Sequence, residues 1–367
     1  MSKKDKVRYA VVGLGWFAQE AILPAFARAK NAELVALVSG DDAKLAELAP
    51  RYGARLTVKY DGYDDLMASK EIDAVYIALP NTMHRDYTVR AARAGVHVLC
   101  EKPLAMNEAE CREMIAACRQ GGVKLMVAYR LHFEKANLAA IEAVKSGEIG
   151  EPRLLSTVFA MQVEAGNSRL KADLGAGPLY DIGVYCINAA RYLFRDEPRE
   201  VVAFSGRERD DERFDEVDEQ LGAVLRFADD RLATFAISFG AHEYNRLDLV
   251  GTTGHLALDP AYSHSTALKL EVDSEDKTHG HKFAHRDQVA PEIIYFSDCI
   301  RENREPEPSG EEGLADVRII GALQESAATG RSVALEPLKR DRRPEPSQEK
   351  QVAPPRKPKL VRAEPPH

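Results

Sequence analysis

The sequence predicts an α/β chain in two parts: a doubly wound parallel sheet first, then an α+β domain with a large, open, mostly antiparallel sheet. Three observations carry this. Up to about residue 128, β-rich runs alternate with helical patterns, the order of a parallel sheet with crossover helices. A glycine-rich turn joins the first strand to the first helix. Beyond about residue 195, short alternating runs separated by turns take over. At 367 residues the chain is also too long for one ordinary core.

Residues 7–12, VRYAVV, form the first strand, and GLGWFA follows directly. Gly13 permits a tight turn, Gly15 lets backbone approach a pyrophosphate, and Ala18 lets helix and strand pack closely, which is the dinucleotide fingerprint of a Rossmann domain. Leu14, Trp16 and Phe17 complete this turn and join the candidate cofactor contacts, and the N–H groups opening the next helix suit phosphate. Pro24 lies inside that helical pattern and predicts a kink or break.

The second strand, ELVALVSG, ends at Ser39-Gly40, where an NAD site would usually carry an acidic residue for the ribose 2′-OH. Ser39 and Lys44 instead suit a 2′-phosphate and favour NADP over NAD, although Asp41 and Asp42 stand close by. DAVYIALPNTMH, HVLCEKPLAMNEAE and KLMVAYRLHF supply three further strands. Ligands gather at the carboxyl ends of such strands. The candidate contacts there are Leu79, Pro80, Asn81 and His84, then Glu101 and Lys102, then Arg130. Lys102-Pro103 is a candidate cis peptide.

Composition excludes several classes. No apolar run reaches the roughly 18 residues of a membrane span, and the first residues carry no secretory pattern. Five cysteines without C-x-x-C spacing suit a reducing, cytoplasmic setting. A metal site is not expected, although His279, His281 and His285 cluster in one polar stretch read as a loop. The net charge of −8 makes nucleic acid an unsuitable ligand. Residues 338–367 hold nine Lys/Arg, four Asp/Glu and seven prolines. A tail with so little apolar surface is expected to be disordered.

The second part contains the stretch 177–194, GPLYDIGVYCINAARYLF. It has a helical pattern in which Asp181 and Tyr185, four apart, share one face. They read as a solvated face or as half of an active site, and spacing alone favours the solvated face. Downstream, EVVAFSGRE, VDEQLGAVLRFADDRLATFAISFG, NRLDLVGTTGHLALD and TALKLEVDSE read as antiparallel strands. One face of such a sheet needs a partner to bury it, so a homodimer or homotetramer is expected.

Seven stretches spread over residues 7–336 resemble the Gfo/Idh/MocA oxidoreductases: AVVGLGWFAQEAILPAFA, ALVSGDDAK, DAVYIALPNTMHRDY, GVHVLCEKPLA, KLMVAYRLHF, GAGPLYDIGVYCINAARYLF and SGEEGLADVRIIGAL. The resemblance implies a Rossmann domain over 1–128, a substrate and oligomerisation domain over 129–336 with a late helix near 310–329 packing back on the first, and a tail over 337–367. It implies that Lys102 of the E-K-P motif is catalytic and that Asp181 and Tyr185 supply an acid and a proton-transfer residue. It implies an adenine-side contact for Tyr60, and Arg169 carries over where relatives have Trp-Arg. Tyr185, where many relatives have His, points to the glucose–fructose oxidoreductase and aldose dehydrogenase branch.

The activity expected is NADP-dependent oxidation of an aldose at C1 to an aldonolactone, with a sugar or polyol as substrate. A glucose–fructose oxidoreductase with held NADP, a dihydrodiol dehydrogenase-like activity and a non-catalytic NADP sensor are the alternatives. With only six residues before the first strand, where that oxidoreductase carries a cofactor-holding arm, the cofactor is expected to exchange. A free tyrosine, with a pKa of about 10, needs a nearby ammonium to act as a base near neutrality. Lys102 is the candidate for that role.

Overall fold

The computed structural model describes residues 6–275, 277–340 and 342–366, in two compact units. The first comprises residues up to Arg130 with Asp287–Leu314 and Lys350–Pro365, and the second comprises Leu131–Arg286 with Ala315–Glu349 and the terminal residues.

In the first unit the chain runs β1 Val7–Val12, a π-turn Ala18–Ile22 leading into α1 Leu23–Phe26, β2 Ala32–Val38, α2 Asp42–Tyr52, β3 Leu56–Val58, α3 Tyr63–Ala68, β4 Ala74–Ile77, α4 His84–Arg93, β5 His97–Cys100, α5 Glu108–Gly121 and β6 Leu125–Val127. The six strands lie in the order β3-β2-β1-β4-β5-β6, and every pairing is parallel. The order reverses beside β1, the switch point at which doubly wound sheets bind ligands. The strands are almost continuously apolar because both faces are covered. Pro24 sits in the first turn of α1, where its missing N–H costs nothing. Cys111 and Cys118 are buried in α5, and burial pushes both thiols up to about 12, as expected of core residues.

The second unit holds α6 Lys135–Lys145, β7 Pro152–Ala160, α7 Val184–Phe194, β8 Glu200–Gly206, β9 Gln220–Arg226, β10 Leu232–Ser238, β11 Tyr244–Gly251, β12 Gly254–Leu258, β13 Leu268–Ser274 and β14 Thr278–Phe283. Helix α8, Ala290–Arg301, belongs to the first unit, α9 spans Gly310–Thr329, and β15 is Val333–Ala334. The sheet order is β14-β13-β12-β11-β7-β10-β9-β8-β15, antiparallel except between β7 and β10. Alternate residues of β9, β10 and β13 are buried, so one face carries the core. Among the described residues no helix is long and apolar enough to cross a membrane.

Three expectations are corrected. The division of the chain is not linear, because residues 287–314 return to the first unit. There α8 covers β1 and β2, with a hydrogen bond between Tyr9 and Ser297 hydroxyls at 2.8 Å and a bond from Asn31 Nδ2 to Asp298 Oδ1 at 2.8 Å. Residues 278–283, read as a polar loop, form edge strand β14 on β13. An edge strand exposed on its outer side tolerates polar residues; His279 bonds Glu148 at 2.6 Å and His285 bonds the His264 carbonyl at 3.0 Å. The described part of the tail is docked, not disordered. Arg343 donates to Glu197 Oε1 at 2.7 Å, and the Val352 carbonyl accepts from Asp287 N at 3.0 Å. Its order rests on hydrogen bonds to backbone and charge, which a count of apolar residues does not register.

Candidate active site

The glycine-rich turn follows β1. Gly13 has φ +95°, and a Cβ there would lie 2.3 Å from the Ala78 carbonyl oxygen, so backbone proximity as well as dihedral demands glycine. Gly15 is exposed and a Cβ on it would meet nothing within 4 Å, which leaves open space above the backbone for a ligand to approach. Leu14 is buried, while Trp16 and Phe17 are half-buried with rings 6.1 Å apart.

At the end of β2, the Ser39 hydroxyl accepts from Asp41 N at 3.2 Å. Asp41 caps α2: its Oδ1 accepts from Ala43 N at 2.9 Å and Lys44 N at 3.2 Å. These backbone bonds hold its carboxyl below the usual range. The acid that complicated the reading of a ribose contact is therefore engaged by the helix. The Tyr60 ring lies against Gly40, 3.3 Å from where its Cβ would stand, and flanks the same strand end.

The loops after β4 and β5 are tied by His84. Its ring is fully buried, with Nδ1 2.9 Å from the Pro103 carbonyl and Nε2 2.9 Å from the Leu79 carbonyl. Whichever nitrogen carries the proton donates to one of these carbonyls, so His84 braces the two loops, and its full burial leaves no exposed ring atom for the cofactor contact the sequence suggested. Pro80 and Asn81 stay half-buried. The Lys102-Pro103 peptide is cis. Glu101 accepts from the Tyr76 hydroxyl at 2.8 Å and from Lys102 N at 3.3 Å, and burial raises its carboxyl. Arg130 is buried and donates to Gln288 Oε1. Gln288 went unseen in the sequence because it sits 158 residues away.

In the second unit, the run from Gly177 begins with a π-turn at Leu179–Gly183 and continues as α7. Between Gly177 and Phe194 every residue is buried except Asp181 and Tyr185, both half-buried. A solvated helix face would expose far more of its surface. These two polar groups instead emerge singly from an otherwise buried helix. Asp181 Oδ2 accepts from Arg169 Nε at 2.7 Å, so Arg169 holds the carboxylate of Asp181. The Tyr185 ring packs on Phe159 and Tyr262 at 5.8 and 6.1 Å.

Helix α7 is anchored by its polar side. Arg191, fully buried, donates to Glu197 at 2.7 and 3.0 Å and to Asp316 at 2.6 Å. Asn188 donates to Asp316 Oδ2 at 2.9 Å and bonds His132 Nε2 at 2.7 Å. Fully buried His132 is thus a structural histidine, one of the two roles open to it in the sequence.

Comparison with known proteins agrees with this architecture. Residues 7–129 match a family model described as an oxidoreductase family with an NAD-binding Rossmann fold, and residues 137–257 match the Gfo/Idh/MocA C-terminal domain. The chain belongs to the Gfo/Idh/MocA oxidoreductase family. A D-xylose 1-dehydrogenase (NADP+) of Haloarcula marismortui is 31% identical over 341 residues, covering 90% of this chain and 94% of its own. The crystal structure of an aldose–aldose oxidoreductase from Caulobacter crescentus superposes with TM-score 0.86 at 37% identity, over 90% of this chain and all of that one. A 3-ketoreductase from Actinomadura kijaniata, crystallised with NADP and TDP-benzene, gives TM-score 0.79 at 26% identity over 88% and 98% of the two chains.

Proposed function

We propose that this family member is an NADP-dependent sugar oxidoreductase that oxidises an aldose at C1 to the aldonolactone. The observation that carries the reading is the helix from which Asp181 and Tyr185 alone escape burial, in a chain that also bears the E-K-P lysine. A sensor of NADP would have no need to hold an acid and a phenol out of a buried helix. The xylose dehydrogenase and the aldose–aldose oxidoreductase among its relatives support an aldose as substrate.

NADP, when bound, supplies the hydride chemistry. Gly13 and Gly15 give it backbone access, and Ser39, Gly40, Lys44 and Tyr60 suit its 2′-phosphate and adenine end. Tyr185, as the phenolate that the Lys102 ammonium favours, takes the proton from the sugar hydroxyl and becomes the neutral phenol. Asp181, oriented by Arg169, accepts a hydrogen bond from a neighbouring hydroxyl of the sugar. The deciding experiment adds NADP+ and a panel of aldoses to purified protein and follows the reduced-nicotinamide absorbance. Absence of turnover with every aldose would overturn the reading. The likeness to the aldose–aldose oxidoreductase favours one second reading, in which the chain would keep its NADP bound while two sugars are converted in turn. Turnover of paired sugars without added NADP+ would select it.

The two glycines separate stability from binding. Gly13→Ala forces a left-handed dihedral on alanine and a backbone clash, at a cost of about 2 kcal/mol or more. Gly15→Ala leaves the urea midpoint unchanged, since its Cβ meets nothing, yet weakens NADP+ binding about tenfold by filling the approach. Urea unfolding and calorimetric titration check the pair.

The outer face of the nine-stranded sheet supports self-association. Phe204 is 72% exposed, and Leu154, Tyr244 and Val250 are 44–53% exposed. Leu154 pairs with Val250 across β7 and β11 and with Leu232 across β7 and β10, so apolar side chains are contiguous there. A homodimer or homotetramer through this face is the reading. Phe204→Glu is expected to yield monomers by light scattering at micromolar concentration, and an unchanged mass would remove this face from the interface.

A further inference from the structure

We propose that residues 356–365 belong to the cofactor site: they form a strap beside the glycine-rich turn that presents Arg362 to the 2′-phosphate of NADP. The inference rests on the NADP reading above and goes beyond it, since these residues lie more than 300 positions from the turn. Gln19, fully buried just past that turn, holds the strap at both polar atoms of its amide. Its Oε1 accepts from Val361 N at 2.7 Å, and its Nε2 donates to the Val361 carbonyl at 2.9 Å and the Leu14 carbonyl at 3.0 Å. One side chain thus links strap backbone to the residue between Gly13 and Gly15. Arg51 of α2 donates to the Lys359 carbonyl at 2.5 Å, and Arg28 to the Pro354 carbonyl at 3.3 Å, so the segment is fixed at several points of the first unit.

The next residue, Arg362, lies at the end of β2, with Nη1 3.5 Å from Asp41 Oδ1. That oxygen already caps α2, and the Arg362 side chain is 70% exposed. Its guanidinium therefore keeps donors for a second anion, beside Ser39 and Lys44. A planar guanidinium matches a phosphate dianion, and NAD lacks that group. Residues 356–365 contain four Lys/Arg and one acid, Glu364, so the strap carries net positive charge. Pro354, Pro355 and Pro358 restrict the free chain and reduce the entropy lost on docking.

The test titrates the full-length protein and R362Q with NADP+ and NAD+ by calorimetry, without sugar. R362Q is expected to weaken NADP+ about tenfold or more, the scale of a charged hydrogen bond, and to leave NAD+ within twofold. NADP+ affinity within twofold of wild type, or equal losses for both nucleotides, would overturn the assignment. Hydrogen exchange at the Val361 amide is expected to slow when NADP+ is added, and unchanged exchange would detach the strap from the site. Because no sugar is present, failure of the aldose reading leaves this result intact. A wild-type chain that binds NADP+ no better than NAD+ would overturn the NADP reading and this one together.

Discussion

Tyr185→Phe is expected to lower kcat for aldose oxidation by about 10²-fold or more, the usual scale of a lost acid–base group. The substitution removes one hydroxyl and keeps the ring that packs on Phe159 and Tyr262, so thermal stability should stay within about 1 kcal/mol of wild type. NADP+ affinity should also hold, because the cofactor contacts proposed for the chain lie on other residues. Lys102→Met should bring a comparable loss, and the double variant little more than either, as for groups acting in one step. Asp181→Asn should act mainly on KM, since it weakens the Arg169 pair and the sugar contact without removing the proton acceptor. Progress curves at saturating NADP+ check all four. A near-wild-type rate for Tyr185→Phe would remove that residue from the chemistry.

Arg191→Met is expected to be the most destabilising of the substitutions considered, by about 3–5 kcal/mol. Asp316 and Glu197 lie in the core with the Arg191 guanidinium between them, 2.6 and 2.7 Å away, and Asp316 is fully buried. Removing the cation leaves two carboxylates without their main counter-charge. Arg343, which also donates to Glu197, compensates in part at one of them and not at Asp316. The apparent melting temperature should fall by about 10 °C, and activity should fall with it, because α7 carries Tyr185. A melting temperature within 2 °C of wild type, by calorimetry, would mean that the cluster contributes little. Replacing Arg191, Glu197 and Asp316 together with apolar residues should recover much of the loss, since an uncompensated buried charge is the main penalty.

The strands that build the parallel sheet were legible because each is an apolar run closed by a turn signal, as in VRYAVV followed by GLG. So were the glycine turn and the cis Lys102-Pro103 peptide, which depend on local geometry. Asp181 and Tyr185 were legible as a pair on one face but not as exceptions within a buried helix. That distinction depends on the sheet and helices packed around α7. His84 shows the opposite error. Its place in the motif suggested a ligand contact, whereas burial and two carbonyls turn it into a brace between loops. Strand β14 was missed because an edge strand has no burial to imprint on its side chains.

The sequence by itself determined the parallel sheet followed by an antiparallel one and the dinucleotide turn, since these rest on periodicity and short spacings that the backbone imposes locally, while the family was legible only through the resemblance of seven stretches. Tertiary structure alone decided that Asp41 caps a helix, that Arg169 holds Asp181, that His132 and Arg191 anchor the helix carrying Tyr185, and that the basic tail docks. Each of these is a hydrogen bond or ion pair between residues whose side chains have several plausible partners. Only the folded chain, by excluding water and fixing distances, selects among them.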